Sequence, residues 1–83
     1  MEENEISKLV IGESIKVHSQ LGPGLLESVY GECVSFKLIK AGLRIQKQKP
    51  IPLVFDEVKL ECGFRCDILV ENKLIIEIKA VES

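Results

Sequence analysis

The chain has 83 residues, 46% of them hydrophobic and 29% charged, which is one small domain over 1–83 with a marginal core. A net charge of −2 and a pI near 5.4 argue against binding nucleic acid through overall basicity. No apolar run approaches the roughly 18 residues of a membrane helix, and the acidic N-terminus lacks the apolar stretch of a signal peptide, so no membrane partner is expected.

The spacing predicts a first helix over about 4–21. Asn4 suits the N-cap and Glu5 the first turn. Ile6, Leu9, Val10, Val17 and Leu21 form one stripe, with Ile11, Ile15 and His18 beside it. His18 is open to two readings, a general base or a partly buried polar residue at a helix edge. Gly22 and Pro23 stop this helix. Gly24 then opens a second one over about 25–41, with Leu26, Val29, Tyr30, Cys33, Val34 and Phe36 as its buried side and Gly42 as its end. Glu27 falls in its first turn, where dipole complementation alone would explain it.

Three strands follow. The first, about 43–55, carries Pro50 and Pro52, so it belongs at a sheet edge. Asp56-Glu57 turns the chain into the second strand, about 58–70. Pairing Phe55 with Val58 sets Leu53 opposite Leu60 and Ile51 opposite Cys62, with Gly63 as a bulge or bend. The third strand covers about 74–80. If parity survives Gly63, one face carries Ile51, Leu53, Phe55, Val58, Leu60, Cys62, Phe64, Cys66, Ile68, Val70, Leu74, Ile76 and Ile78, and the helices must cover it. The fold class is therefore α+β: two N-terminal helices on a three-stranded antiparallel meander. Nothing later in the chain covers the outer edge at Leu74–Ala80. Another copy of the chain, or a swapped element, is expected there, making a homo-oligomer.

Charge is unevenly spread. From Lys37 to Lys49 the chain carries Lys37, Lys40, Arg44, Lys47 and Lys49 and no acid. This is either a solvated helix end and strand start or a patch facing phosphates. Arg44, Lys47, Gln48, Lys49 and Arg65 are the candidate nucleic-acid contacts. Cys33, Cys62 and Cys66 are odd in number and read as reduced thiols of a cytoplasmic protein. With one distant histidine they make a poor tetrahedral set, so no zinc is expected.

The last third holds the chemistry. A three-residue turn over Glu71-Asn72-Lys73 pairs Cys66 with Ile78, Ile68 with Ile76 and Val70 with Leu74. Asn72 or Lys73 would take the left-handed position. The same register sets Asp67 against Glu77 and Arg65 against Lys79. Directly opposed carboxylates destabilise a sheet, so a cation belongs between them. Neighbouring Arg65 and Lys79 could balance a solvated face, or Mg²⁺ could use one or two carboxylates with waters and phosphate oxygens.

Gly24-Leu-Leu-Glu27-Ser-Val-Tyr30 matches a G-x-x-E-x-x-Y signature. With Leu21-Gly22-Pro23, Gln48-Lys49-Pro50-Ile51-Pro52, and Arg65-Cys-Asp67 through Glu77-Ile-Lys79-Ala80, it resembles the GxxExxY family of the PD-(D/E)XK nuclease-like superfamily over nearly the whole chain. The resemblance implies a partial restriction-endonuclease-like core. It implies Mg²⁺ or Mn²⁺ held by Asp67, Glu77 and Glu27, with Asp67, Glu77 and Lys79 as the catalytic set. Lys79 would orient or activate the attacking water and stabilise phosphate charge. Members of that family look longer, with a further helix bearing Gln and Tyr and another strand, so the chain reads as a C-terminally short form. Two functions compete on these residues. One is a metal-dependent nuclease acting on DNA or RNA. The other is a non-catalytic binding or assembly module, or an inactive scaffold, joined through its open strand edge.

Overall fold

The computed structural model describes residues 1–61 and 63–79. Helices α1 (Glu3–Leu21) and α2 (Glu27–Lys40) precede β1 (Ile45–Pro50), β2 (Leu53–Phe55), β3 (Val58–Leu60), β4 (Arg65–Val70) and β5 (Leu74–Ile76). The strands form an antiparallel three-stranded sheet, ordered β1-β4-β5, and a separate β2-β3 hairpin. This is the expected α+β arrangement, with each of the first two long strands divided in two. The proline-bearing β1 is an edge strand, because Pro lacks the amide that an interior strand needs.

Local chemistry sets the helix ends. Helix α1 starts at Glu3 with no side-chain cap, so Asn4 lies inside the first turn instead of capping it. Gly22, at φ 76°, closes α1 with its N–H on the His18 carbonyl at 2.8 Å. Helix α2 begins at Glu27 rather than Leu25, because Gly24 is left-handed at φ 88° and Leu26 is still extended. At its far end Gly42 donates to Ile39 and Leu43 to Leu38, with Gly42 at φ 93°, a Schellman pair that satisfies the last carbonyls.

The core joins Ile6, Val10 and Val17 of α1 to Val34 and Leu38 of α2, Leu43, and Ile68 and Val70 of β4. Full burial of a side chain such as Leu38 or Ile68 contributes roughly 1.5–3 kcal/mol. The α1 stripe holds at Ile6, Leu9, Val10 and Val17, but Leu21 at the helix end is exposed, as are Ile11 and Ile15 beside the stripe. Helix α2 differs. Leu26, Val29 and Phe36 are exposed, and Ser35 and Leu38 are buried. Its inner face is Gly31-Val34-Ser35-Leu38, because Gly31 allows close approach. A Cβ there would stand 3.2 Å from Ile78 Cδ1.

Register follows the expected pattern at both turns. Ile68 faces Ile76, Leu69 faces Ile75 and Val70 faces Leu74. Phe55 faces Val58 and Leu53 faces Leu60. At the Glu71-Asn72-Lys73 turn Asn72 (φ 58°) takes the left-handed position, as one of the two alternatives had it, and Glu71 (φ 51°) is left-handed as well. Between the pairs Pro50–Arg65 and Leu53–Leu60 the chain has two residues on one strand and four on the other. The two surplus residues form a bend at Gly63, φ 72°. An even surplus preserves parity, so Cys66, Ile68 and Val70 still point inward. Leu53, Phe55, Val58, Leu60 and Phe64, expected under the helices, are exposed because the bend carries the hairpin past them. Cys62, its pairing with Ile51, and Ala80 lie outside the described residues.

Candidate active site

Asp67 sits in the middle of β4, where the ladder with β1 lapses. Lys47 pairs with Ile68 and Lys49 with Cys66, but Gln48 has no partner in that ladder. Gln48 is left-handed at φ 52°, a conformation unfavourable for a residue with a side chain. Asp67 is half-buried, and its Oδ2 accepts a hydrogen bond from the Ile78 N–H at 2.7 Å. This bond replaces the expected ladder pairing. Strand β5 ends at Ile76, and the pairs Cys66–Ile78, Asp67–Glu77 and Arg65–Lys79 do not form. Opposed carboxylates would repel, whereas a carboxylate satisfied by an amide N–H is favourable. Asp67 therefore anchors the central amide of Glu77-Ile78-Lys79.

Two adjoining cavities flank that anchor. Asp67 lines one of about 290 Å³, together with Glu27, Glu32, Ser35, Lys47 and Gln48. Glu77 and Lys79 line a cleft of about 680 Å³ with His18 and Tyr30. Glu27 and Ile78 line both. The expected acidic set is thus brought together in part: Glu27 with Asp67 on one side, Glu27 with Glu77 and Lys79 on the other. Among the described residues, no three of His, Cys, Asp and Glu stand close enough to hold a metal ion. The donor chemistry nevertheless fits Mg²⁺ or Mn²⁺. These ions take one or two carboxylates and complete their shell with neutral oxygens and waters.

The Gly24–Glu27–Tyr30 spacing has a mechanical sense. Gly24 supplies the left-handed turn, Glu27 is the first residue of α2, and the Tyr30 hydroxyl donates to the Gly22 carbonyl. The tyrosine ties the start of α2 to the end of α1 and so fixes where Glu27 emerges. His18 is exposed rather than partly buried, and its ring stacks on Tyr30 with centroids 6.1 Å apart.

The basic run is partly neutralised within the molecule. Lys47 pairs with Glu32 at 2.9 Å. The Glu71 Oε2 accepts from the Arg44 backbone amide at 2.6 Å and from Arg44 Nε at 3.3 Å. The amide bond first, and the guanidinium after it, hold the Glu71 carboxyl below its ordinary range. Lys49 is half-buried opposite Cys66, and Arg65 is exposed opposite Pro50.

Hydrophobic periodicity passes over Ser35. It is 2% exposed, and its hydroxyl has no hydrogen-bond partner among the described residues. Its place four residues after Gly31, on the same helical face, is the sequence signal that marks it.

Searches of curated proteins and of solved structures give no match. The family model for the PD-(D/E)XK nuclease superfamily matches residues 4–83. The match spans both helices, both cavities and the Asp67 anchor, and the chain belongs to the PD-(D/E)XK nuclease superfamily.

Proposed function

We propose that the chain is a divalent-metal-dependent nuclease that hydrolyses phosphodiester bonds of DNA or RNA. The observation that carries this reading is the Asp67–Ile78 hydrogen bond, which ties one carboxylate to the middle of the Glu-x-Lys segment in a chain of this superfamily. Asp67, Glu77 and Glu27 are the residues from which Mg²⁺ or Mn²⁺ would draw one or two carboxylates, Glu27 being shared by both cavities. Such an ion supplies Lewis acidity and a water of lowered pKa. Lys79 stabilises the negative charge that develops on the phosphate. Lys49 and Arg65, which have no ion pair among the described residues, contact the nucleic-acid backbone with Gln48. Arg44 and Lys47 reach it by exchanging exposed ion pairs of small worth. The free thiols of Cys33 and Cys66 suit a reducing cytoplasm.

The expected result is Mg²⁺-dependent cleavage of single- or double-stranded DNA or RNA, stopped by EDTA. Lys79→Ala lowers the rate at least about 100-fold, as losing a charge stabiliser does elsewhere. No cleavage of any of these substrates by the wild type, or equal rates in both proteins, would remove the reading.

A second observation favours self-association. Strand β5 is an edge, and its Ile75 side chain is exposed. An apolar unpaired edge is a template for another strand. A second copy pairing along the segment from Leu74 toward Ala80 gives a homodimer, with or without catalysis. Sedimentation at micromolar concentration checks it: a dimer is expected, and a monomer throughout would refute it.

A further inference from the structure

We propose that Ser35 and Gln48 hold the water shell of a divalent cation in the cavity between α2 and the β1–β4 pair, where Asp67 and Glu27 supply the charge. This rests on the metal-dependent reading above and adds two neutral residues to it.

Four observations converge on that cavity. First, Ser35 lines it, and the Ser35 hydroxyl is buried with no partner among the described residues. A helical serine can bond the carbonyl four residues back, and Ser35 does not. An unmet polar atom in an interior is costly unless an occupant of the adjoining space meets it. Second, the cavity carries Glu27, Glu32 and Asp67 against Lys47 alone. Lys47 Nζ is 2.9 Å from Glu32 Oε2, which takes up its charge. Acidic groups outnumber basic ones in the lining, which favours a cation over an anion. Third, Gln48 holds a left-handed backbone and interrupts the ladder beside Asp67, and it lines the same cavity. Unfavourable backbone of this kind persists where surrounding structure imposes it, often at binding sites. Fourth, the space, about 290 Å³, is large enough for an ion with several waters at roughly 30 Å³ each.

The donor count selects the type of site. One Asp67 oxygen is engaged by the Ile78 amide. No three acidic, His or Cys side chains converge among the described residues. Most of a six-oxygen shell must then be water, and water needs hydrogen-bonding partners of its own. The Ser35 hydroxyl and the Gln48 amide are neutral groups that can donate to or accept from those waters.

Mn²⁺ titration of the full chain, followed by electron paramagnetic resonance and by thermal shift, tests the assignment. Wild type is expected to bind Mn²⁺ and to gain melting temperature on binding. Ser35→Ala is expected to keep or raise the metal-free melting temperature and to weaken Mn²⁺ binding about 10- to 100-fold. Gln48→Ala, at an exposed position, should weaken it in the same range without loss of folding. Wild type failing to bind at millimolar Mn²⁺, or either variant binding as wild type does, overturns the proposal. The nuclease reading fails separately: Mn²⁺ bound and dependent on Ser35, with no cleavage, leaves the cation site standing and removes the catalysis. Cleavage with Mn²⁺ binding untouched by Ser35→Ala does the reverse.

Discussion

The three-stranded sheet and the β2-β3 hairpin carry the same alternation of apolar and polar residues, yet meet opposite fates. Cys66, Ile68 and Val70 are at most 1% exposed, whereas Leu53, Phe55 and Val58 are more than half exposed. Their side chains obey the same period-two rule. The difference is reach. Helix α2 has 14 residues and runs about 21 Å. The molecule is 44 Å long, and the hairpin lies past the bend at Gly63. Alternation determines which residues share a face, and the lengths of the covering helices determine which faces are buried. A lone two-stranded hairpin is marginal in water. This one is supported by left-handed Asp56 and Glu57 in its turn and by the Ile51 N–H on the Phe64 carbonyl at 2.8 Å.

Substitutions in the two regions should separate them sharply. The largest effect is expected for Leu38→Ala, which empties a fully buried site and should cost about 3 kcal/mol in a urea melt. Phe55→Ala removes a larger side chain at an exposed site, and about 0.5 kcal/mol or less is expected from the same measurement. A Phe55→Ala cost approaching that of Leu38→Ala at every protein concentration would mean that the hairpin is covered, and the comparison would collapse. A cost that grows with concentration would instead mark the hairpin as part of an interface between copies.

The smallest effect should show only in acid. Glu71 bridges the β4–β5 turn to the start of β1 through Arg44. Its folded pKa lies below the ordinary value of 4.5, so the folded state binds its proton less readily than the unfolded chain does. Its contribution is therefore present above the unfolded pKa and lost as pH falls through the folded one. Melting temperatures of wild type and Glu71→Gln should differ at neutral pH and converge in acid. A gap that stays constant from neutral to strongly acidic pH would discard this role. The same series on a hairpin variant such as Phe55→Ala should show no such convergence, which sharpens the contrast between the regions.

Much of this was legible in the residues. Helix order, the α1 stripe as far as Val17, both turn registers and the edge position of the proline strand follow from periodicity, Gly and Pro placement and the pairing of like with like. What escaped was set by three-dimensional competition. The α2 face depends on Gly31 meeting Ile78, a contact 47 residues apart in sequence that no local pattern announces. The Asp67–Glu77 pairing satisfies strand arithmetic but loses to a hydrogen bond that the Ile78 amide donates to the Asp67 carboxylate. The candidate carboxylates could be named from sequence, while their division between two cavities, and the orphan hydroxyl of Ser35 beside one of them, are properties of packing.

The bend between Leu60 and Arg65 separates two properties of a strand that are usually coupled. Its surplus of two residues redirects the chain without reversing its sides. Heading and sidedness thus become independent controls. The corner can swing the hairpin away from the helices while every residue from Cys66 to Val70, Asp67 included, keeps its orientation. The half of the strand that carries Asp67 is thereby insulated from whatever the projecting half is used for, and the two can diverge without interfering with one another.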